Sequence, residues 1–412
     1  RARPLMEVLN DAKAIDAILA KGYAKHKVTP LPLIDDATFV RRAYLQVGGR
    51  IPTYEETVGF IENKDPLKHA ALVDRILDSE AYDSHTFNWW ADLLRIQSPS
   101  RSGGANNVGG GVSYALWMMD EIQRNTPFDE VARKLITAKG YPWNNGAVGY
   151  YMRDAGMPLD NMSNTTQVFL GTQMVCAQCH NHPFDKWTQM EYYQMAAYTY
   201  GVQARMGGDK NKEIQDAFKS QFEGHGAGKK RENAYKSKQG QLLRRAASEI
   251  MRPLRYGASH TPRKLQLPHD YQYDDADPNA RVEPRTIFGD DANVAQEQSR
   301  SQVYADWLAA PDNPRFTTVI VNRLWKKVMG IGLIEPVLIG DASAINSIAF
   351  DIEWDIEKFT VVDAGSEAKA AKLSVGLARS GEVSALMKGH IHSETLMQEA
   401  LQRNQGIRLK RR

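Results

Sequence analysis

The chain has two cysteines, Cys176 and Cys179, and both fall within one short stretch of its 412 residues. A bond between thiols so close in sequence closes almost no loop, so the chain cannot be held together by a disulfide framework. Its fold must come from a conventional core. Apolar residues at 42% and charged residues at 25% supply one, as in an ordinary globular protein, and they exclude a disordered or collagen-like chain. At roughly 150 residues per domain the length predicts two or three domains.

Charge is uninformative over the whole chain: 52 Lys and Arg against 49 Asp and Glu give +3. No electrostatic footprint for nucleic acid follows, and none is expected as a partner. No apolar run approaches the roughly 18 residues needed to cross a bilayer, so no integral membrane segment is expected. The first residue is Arg1, with no apolar signal core after it. That reads as a removed targeting segment or a fragment.

Periodicity makes the first hundred residues helical. Leu5, Val8, Leu9, Ala12, Ile15, Ile18 and Leu19 are spaced three and four apart, which predicts a helix from Leu5 to Lys25. Asp35 and Asp36 precede a second helix, Thr38 to Val47, and put negative charge at its start. Thr53 reads as the N-cap of a third. Helices are also expected at His69–Leu77, His85–Leu94, Tyr114–Asn125, Pro127–Lys139 and through residues 301–330. The Gly-rich stretch 99–113 reads as a surface loop, with a lid over a site as the alternative. From Lys219 to Lys264 there are twelve Lys or Arg against three Asp or Glu. Aromatic residues do not alternate with these charges, so the segment reads as a solvated face rather than a nucleic-acid patch. Asp270, Asp274, Asp275 and Asp277 follow, without the spacing of an EF-hand; Asp274 and Asp275 are candidates to pair with the basic segment.

The chemistry is concentrated in Met174-Val-Cys176-Ala-Gln-Cys179-His180-Asn-His182-Pro183-Phe184-Asp185. It contains CxxCH, the attachment pattern of c-type haem. Two thiols at this spacing reach two vinyl groups on one porphyrin edge, and the following His180 falls beneath the iron as proximal ligand. The first expectation is therefore haem c held by Cys176, Cys179 and His180. Zinc bound by Cys176, Cys179, His180 and His182 is the alternative metal reading, though four ligands from seven adjacent residues make a cramped site. A redox dithiol and two inert core thiols are the remaining readings. Met174, Met190, Met195, Met206, His85 and His269 are candidate distal ligands. Trp187, Tyr192, Tyr193, Tyr198 and Tyr200 are candidates to pack a porphyrin. Asp185 reads either as a partner for a ring nitrogen of His180 or His182, or as a helix N-cap. No GxSxG is present, and no nucleophilic triad is expected.

The run from Phe169 to Gln189 resembles the hallmark of the planctomycete cytochrome-C-linked domain family of unknown function. Asp36–Leu45, Gly49–Thr53, Trp117–Asp129 and Leu267–Asp275 fit the same family, and Asn313–Trp325 resembles the start of its usual partner domain. Together these cover about residues 10–337. The resemblance implies a secreted, mostly helical bacterial protein, periplasmic or extracellular, without an assigned reaction. A second resemblance meets this one at Gly332–Val337, and after Val337 the sequence departs from the first. Leu333–Asp341, Phe359–Asp363 and Ala385–Met397 are similar to phosphate acetyl- and butyryltransferases, with Lys388 and Gly389 on that family's motif. The tail would be an early, inactive fragment of that enzyme, and the junction reads as a join between unrelated coding segments.

The expected fold is mainly α: a multi-helix domain around the CxxCH segment with a short α/β C-terminal fragment. The expected division is a helical domain 1–204 containing CxxCH, a basic then acidic linker or insertion 205–300, the start of a helical partner domain 301–337, and a truncated transferase-like piece 338–412. The functional expectation is electron transfer or redox chemistry with a partner protein. A secreted binding or structural module without haem is the second reading.

Overall fold

A computed structural model describes residues 4–27, 29–97, 110–182, 186–205, 237–238, 240–242, 245–246, 256–288, 299–330, 337–351, 356, 359–380, 383 and 393–402. Residues 98–109, which include most of the Gly-rich stretch 99–113, lie outside the described residues, as do most of the basic segment, Asp185, Met206, Lys388 and Gly389; the end of that stretch, residues 110–113, is the first turn of a helix and not the loop expected. The fold is mainly helical. The chain divides into two compact units, one of Arg1–Val175 with Met190–Phe316, the other of Cys176–Gln189 with Thr317–Arg412.

The first unit opens with α1 (Leu5–His26), α2 (Asp36–Gly48), α3 (Tyr54–Glu62), α4 (Lys68–Leu77) and α5 (Glu80–Leu93). The starts of α2 and α3 are set locally. Asp35 Oδ1 accepts from the Thr38 amide at 2.7 Å. Thr53 and Glu56 form a reciprocal capping box, which satisfies two amide donors that the first helical turn would otherwise leave open. Val40, Ala43 and Tyr44 of α2 then close on Phe60, Leu72 and Ile76. By contrast α1 keeps Val8, Ile15 and Ile18 exposed.

Glu56 also takes both arms of the Arg50 guanidinium, at 2.6 and 2.8 Å. That pairing, and next the Thr53 amide, hold its carboxyl down at about 2, against an ordinary value of 4.5. A depressed carboxyl contributes stability above its unfolded value and loses it as pH falls through the folded one. The urea midpoint of Glu56→Gln is therefore expected to lie below that of the parent protein at pH 7. The gap should close between about pH 4.5 and 2; a gap that stays constant over that window would contradict the assignment.

The second group of helices is α6 (Gly110–Gln123), α7 (Phe128–Ile136), α8 (Gly149–Met152), α9 (Pro158–Leu170) and α10 (Gln189–Ala196), joined later by α11 (Arg300–Leu308); α12 (Phe316–Met329) starts at the last residue of this unit and otherwise belongs to the second. Ala132, Leu135, Ile136, Met162 and Leu170 are completely shielded from solvent. Phe128 stacks on Phe316 at 4.8 Å, and Phe169 packs beside both. Two small antiparallel pairs lie in this unit. Strand β1 (Val202–Arg205) pairs with β2 (Tyr256–His260), Val202 facing His260, with an irregularity before Arg205. Strand β3 (Leu265–Gln266) pairs with β4 (Arg281–Val282). Neither pair was anticipated from the sequence. Lys264 of the basic segment pairs with Glu283 rather than Asp274 or Asp275, and Asp275 accepts from the Tyr271 hydroxyl.

In the second unit, β5 (Val337–Gly340) and β6 (Thr360–Asp363) run parallel in register. Between them lies α13 (Ala342–Asp351), and α14 (Glu367–Ser380) and α15 (Ser393–Ala400) follow. This is the α/β character expected of the tail. Its βαβ turn is pinned by side chains: Asp341 accepts from the Ala344 amide at 2.9 Å, and Asp363 from the Ala342 amide at 3.1 Å.

Candidate haem-attachment segment

Helix α9 ends at Gly171, whose φ of +59° and amide bond to Thr166 O make a left-handed cap. Glycine takes that conformation without the penalty a Cβ would incur. The Thr172 amide also reaches Thr166 O, at 3.1 Å. A single 3-10 turn, Val175–Gln178, carries the first cysteine. Cys176 is half-buried, Cys179 is exposed, and both are free thiols.

His180 is exposed, and its Nδ1 lies 2.8 Å from the main-chain oxygen of Asn181. A carbonyl oxygen only accepts, so Nδ1 carries the ring proton. Nε2 is left with its lone pair, the state in which an imidazole binds a metal. A second ring nitrogen tied to a carbonyl also fixes ring orientation and raises ligand basicity. His182 is half-buried, and its amide donates to Trp187 O at 2.7 Å.

The loop is closed by two residues that the sequence did not single out. The Asn181 carboxamide oxygen accepts from the Gln189 amide at 2.9 Å. The Gln189 side chain donates to Gln178 O at 3.0 Å. Gln189 is the first residue of α10, so Asn181 satisfies an amide that the helix cannot. An Asn ahead of a helical stretch is the usual capping signal, but here eight residues separate donor and acceptor. Trp187 is 3% exposed, with the Lys186 ammonium over its ring at 4.8 Å.

The other expected partners are distributed elsewhere. Met174 and Met195 are fully buried and serve as core. Tyr192, Tyr193 and Tyr198 are buried too. The Tyr192 hydroxyl bonds Ser163 and Leu159 O, Tyr198 stacks on Tyr304, and Tyr200 accepts from Arg263. His85 is half-buried on α5 and His269 is exposed beside Asp270. Among the described residues no three His, Cys, Asp or Glu side chains gather to hold a metal ion. Cys176, Cys179, His180 and His182 are all described, so the four zinc candidates do not form a ready-made cage.

With that geometry in hand, comparison with known proteins decides what the segment is similar to. Residues 14–204 match PSCyt2, a protein of unknown function (DUF1549). Residues 300–338 match PSD1, a protein of unknown function (DUF1553). The CxxCH segment thus lies inside the PSCyt2 match, and α11 with α12 lies in the PSD1 match. A separate, short similarity is to acyl-phosphate enzymes. Phosphate acetyltransferase of Rickettsia typhi is 41% identical over 80 residues, 19% of this chain and 23% of that protein. Phosphate acetyltransferase of Rhizobium meliloti is 34% identical over 82 residues, 20% of this chain and 26% of that protein. Phosphate butyryltransferase of Clostridium acetobutylicum is 32% identical over 77 residues, 19% and 26% of the two chains. The chain spans about a quarter of the length of these curated relatives. No solved structure matches. No helix among the described residues is long and apolar enough to cross a membrane.

Proposed function

We propose that the PSCyt2-like part of this chain is a periplasmic or extracellular carrier of one covalently attached haem c, which exchanges electrons with a partner protein. The observation that supports it is the hydrogen bond that sets the tautomer of a neutral His180 ring. Its Nδ1 donates to the Asn181 carbonyl, so Nε2 would be the nitrogen that binds the iron. The donor set fits the group: two free thiols at the CxxC spacing, one of them exposed, followed directly by an imidazole in the ligating tautomer.

In this reading Cys176 and Cys179 would hold the haem as thioethers and His180 would bind its iron. The haem supplies one-electron iron chemistry. The chain's own contribution is positional. Asn181 fixes the imidazole through its carbonyl and the loop through its carboxamide, and Gln189 ties the loop to α10. Zinc at the same residues draws no support from the arrangement of the side chains. The transferase-like tail carries no acyl-transfer step in this reading, because it represents about a quarter of such an enzyme.

The test is expression of the chain in the periplasm of a host with a complete cytochrome c maturation system. The purified protein is expected to keep a Soret band after acid–acetone extraction and to gain the mass of one haem. The Cys176→Ser/Cys179→Ser protein should lose both, and His180→Ala should shift the spectrum. A colourless parent protein of unmodified mass from that host rules the proposal out.

A further inference from the structure

A second chemical grouping lies in the first unit, far in sequence from the cysteines. His260, the last residue of β2, has its Nε2 2.9 Å from Ala138 O. Its Nδ1 is 2.9 Å from the Ser301 hydroxyl. The carbonyl can only accept, so Nε2 bears a proton, and in the neutral ring Nδ1 is the acceptor. Ser301 must then donate its single hydroxyl hydrogen to Nδ1. The Ser299 hydroxyl, 3.0 Å from that of Ser301, is left to donate to the Ser301 oxygen. Every proton in the chain from Ser299 through Ser301 and His260 to Ala138 is thereby assigned a direction.

This is the arrangement by which a serine is activated: a hydroxyl hydrogen-bonded to an imidazole whose other nitrogen is held by an acceptor. The three parts come from three places in the sequence, the loop after α7, the end of β2 and the first turn of α11. The Tyr151 ring meets the imidazole edge-on, with centroids 6.4 Å apart, and steadies its plane. Ser299 is the N-cap of α11, yet its hydroxyl makes no capping bond. That hydroxyl is turned instead to Ser301. Ser301 is 3% exposed, while His260 and Ser299 are open to solvent. Burial of Ser301 beside an exposed imidazole favours small acyl groups over bulky ones.

We propose that Ser301 and His260 are the nucleophile and general base of a site that cleaves small carboxylic esters, with Ala138 O orienting the imidazole. The proton moves from Ser301 Oγ to His260 Nδ1 as Oγ bonds to the acyl carbon. The bond from that carbon to the alkoxy oxygen breaks, and the leaving alkoxide takes the proton from Nδ1. Water then attacks the acyl-serine, giving one proton to Nδ1, which returns it to Ser301 Oγ as the carboxylic acid departs.

The probe is p-nitrophenyl acetate with the purified chain, a readout that does not depend on haem. A burst of p-nitrophenolate of about one equivalent is expected, with one acetyl group on the peptide that contains Ser301. Ser301→Ala should abolish the burst, and His260→Gln should slow it about 100-fold or more, the usual contribution of a positioned base, with far-UV circular dichroism unchanged in both. Peptide mapping of the parent protein decides the matter even if a variant fails to fold. Acetyl groups confined to lysines and the N-terminus, with none on Ser301, overturn the proposal, as does a full burst from folded Ser301→Ala.

Discussion

Replacing Arg153 by Met is expected to destabilise the first unit by about 3–5 kcal/mol, the usual cost of stripping one partner from a buried ion pair. The side chains of Arg153 and Asp154 are 3% and 1% exposed, with Arg153 Nε 2.9 Å from Asp154 Oδ2. Arg153 also donates to Leu94 O and lies over the Tyr150 ring at 4.3 Å. Asp154 takes a further bond from Asn161 at 3.1 Å and faces Arg95 at 3.3 Å. Arg95 is 44% exposed, so solvent screens its charge and it cannot replace the buried partner. Without Arg153 a carboxylate remains in the core with one amide and a half-solvated cation. Urea unfolding at pH 7 measures the loss. The double variant Arg153→Met/Asp154→Leu should recover much of it, since the unpaired charge goes with it. An unchanged midpoint for Arg153→Met would show that the pair is not buried as described.

Gly146→Ala should cost about 1–3 kcal/mol, the range for forcing an extra carbon into a packed interior. A Cβ there would lie 2.2 Å from Ser113 O and 2.6 Å from the Trp117 Cβ. The first of these is main chain within α6, so no side-chain rotation relieves it. The short 3-10 turn Gly146–Val148 would have to move off α6. Gly59→Ala is the natural comparison. Gly59 lies within α3 and a Cβ there meets nothing within 4 Å. Alanine loses less chain freedom on folding than glycine, so this change should stabilise by about 0.5–1 kcal/mol. Opposite shifts in melting temperature for one chemical substitution are the expected signature. Equal shifts would mean that close approach at Gly146 is not what sets its cost.

The helices were legible because their signals are local. Asp35 and Thr53 announce the starts of α2 and α3 within a few residues, and Phe128–Ile136 falls close to where periodicity put it. The antiparallel pairs were not. β1 meets β2 across more than fifty residues of chain, and strands of two to five residues carry too little alternation to be noticed. The Arg153–Asp154 pair was missed for a different reason: charged residues usually face water, and nothing in their spacing marks them as buried. At the candidate haem segment, Cys176, Cys179 and His180 were readable because three reactive side chains occupy a fixed spacing. The loop-closing roles of Asn181 and Gln189 depend on a chain reversal that spacing does not encode. Ser301 and His260 escaped notice because they lie 41 residues apart and match no linear motif.

Gln189 spends its main-chain amide on one residue of the cysteine loop and its side-chain amide on another. Put Thr188 or Met190 in its place and the main-chain bond could still form, but neither side chain carries the amide that donates to Gln178 O. The loop thus works as a gauge that accepts glutamine alone of these three at the head of the helix.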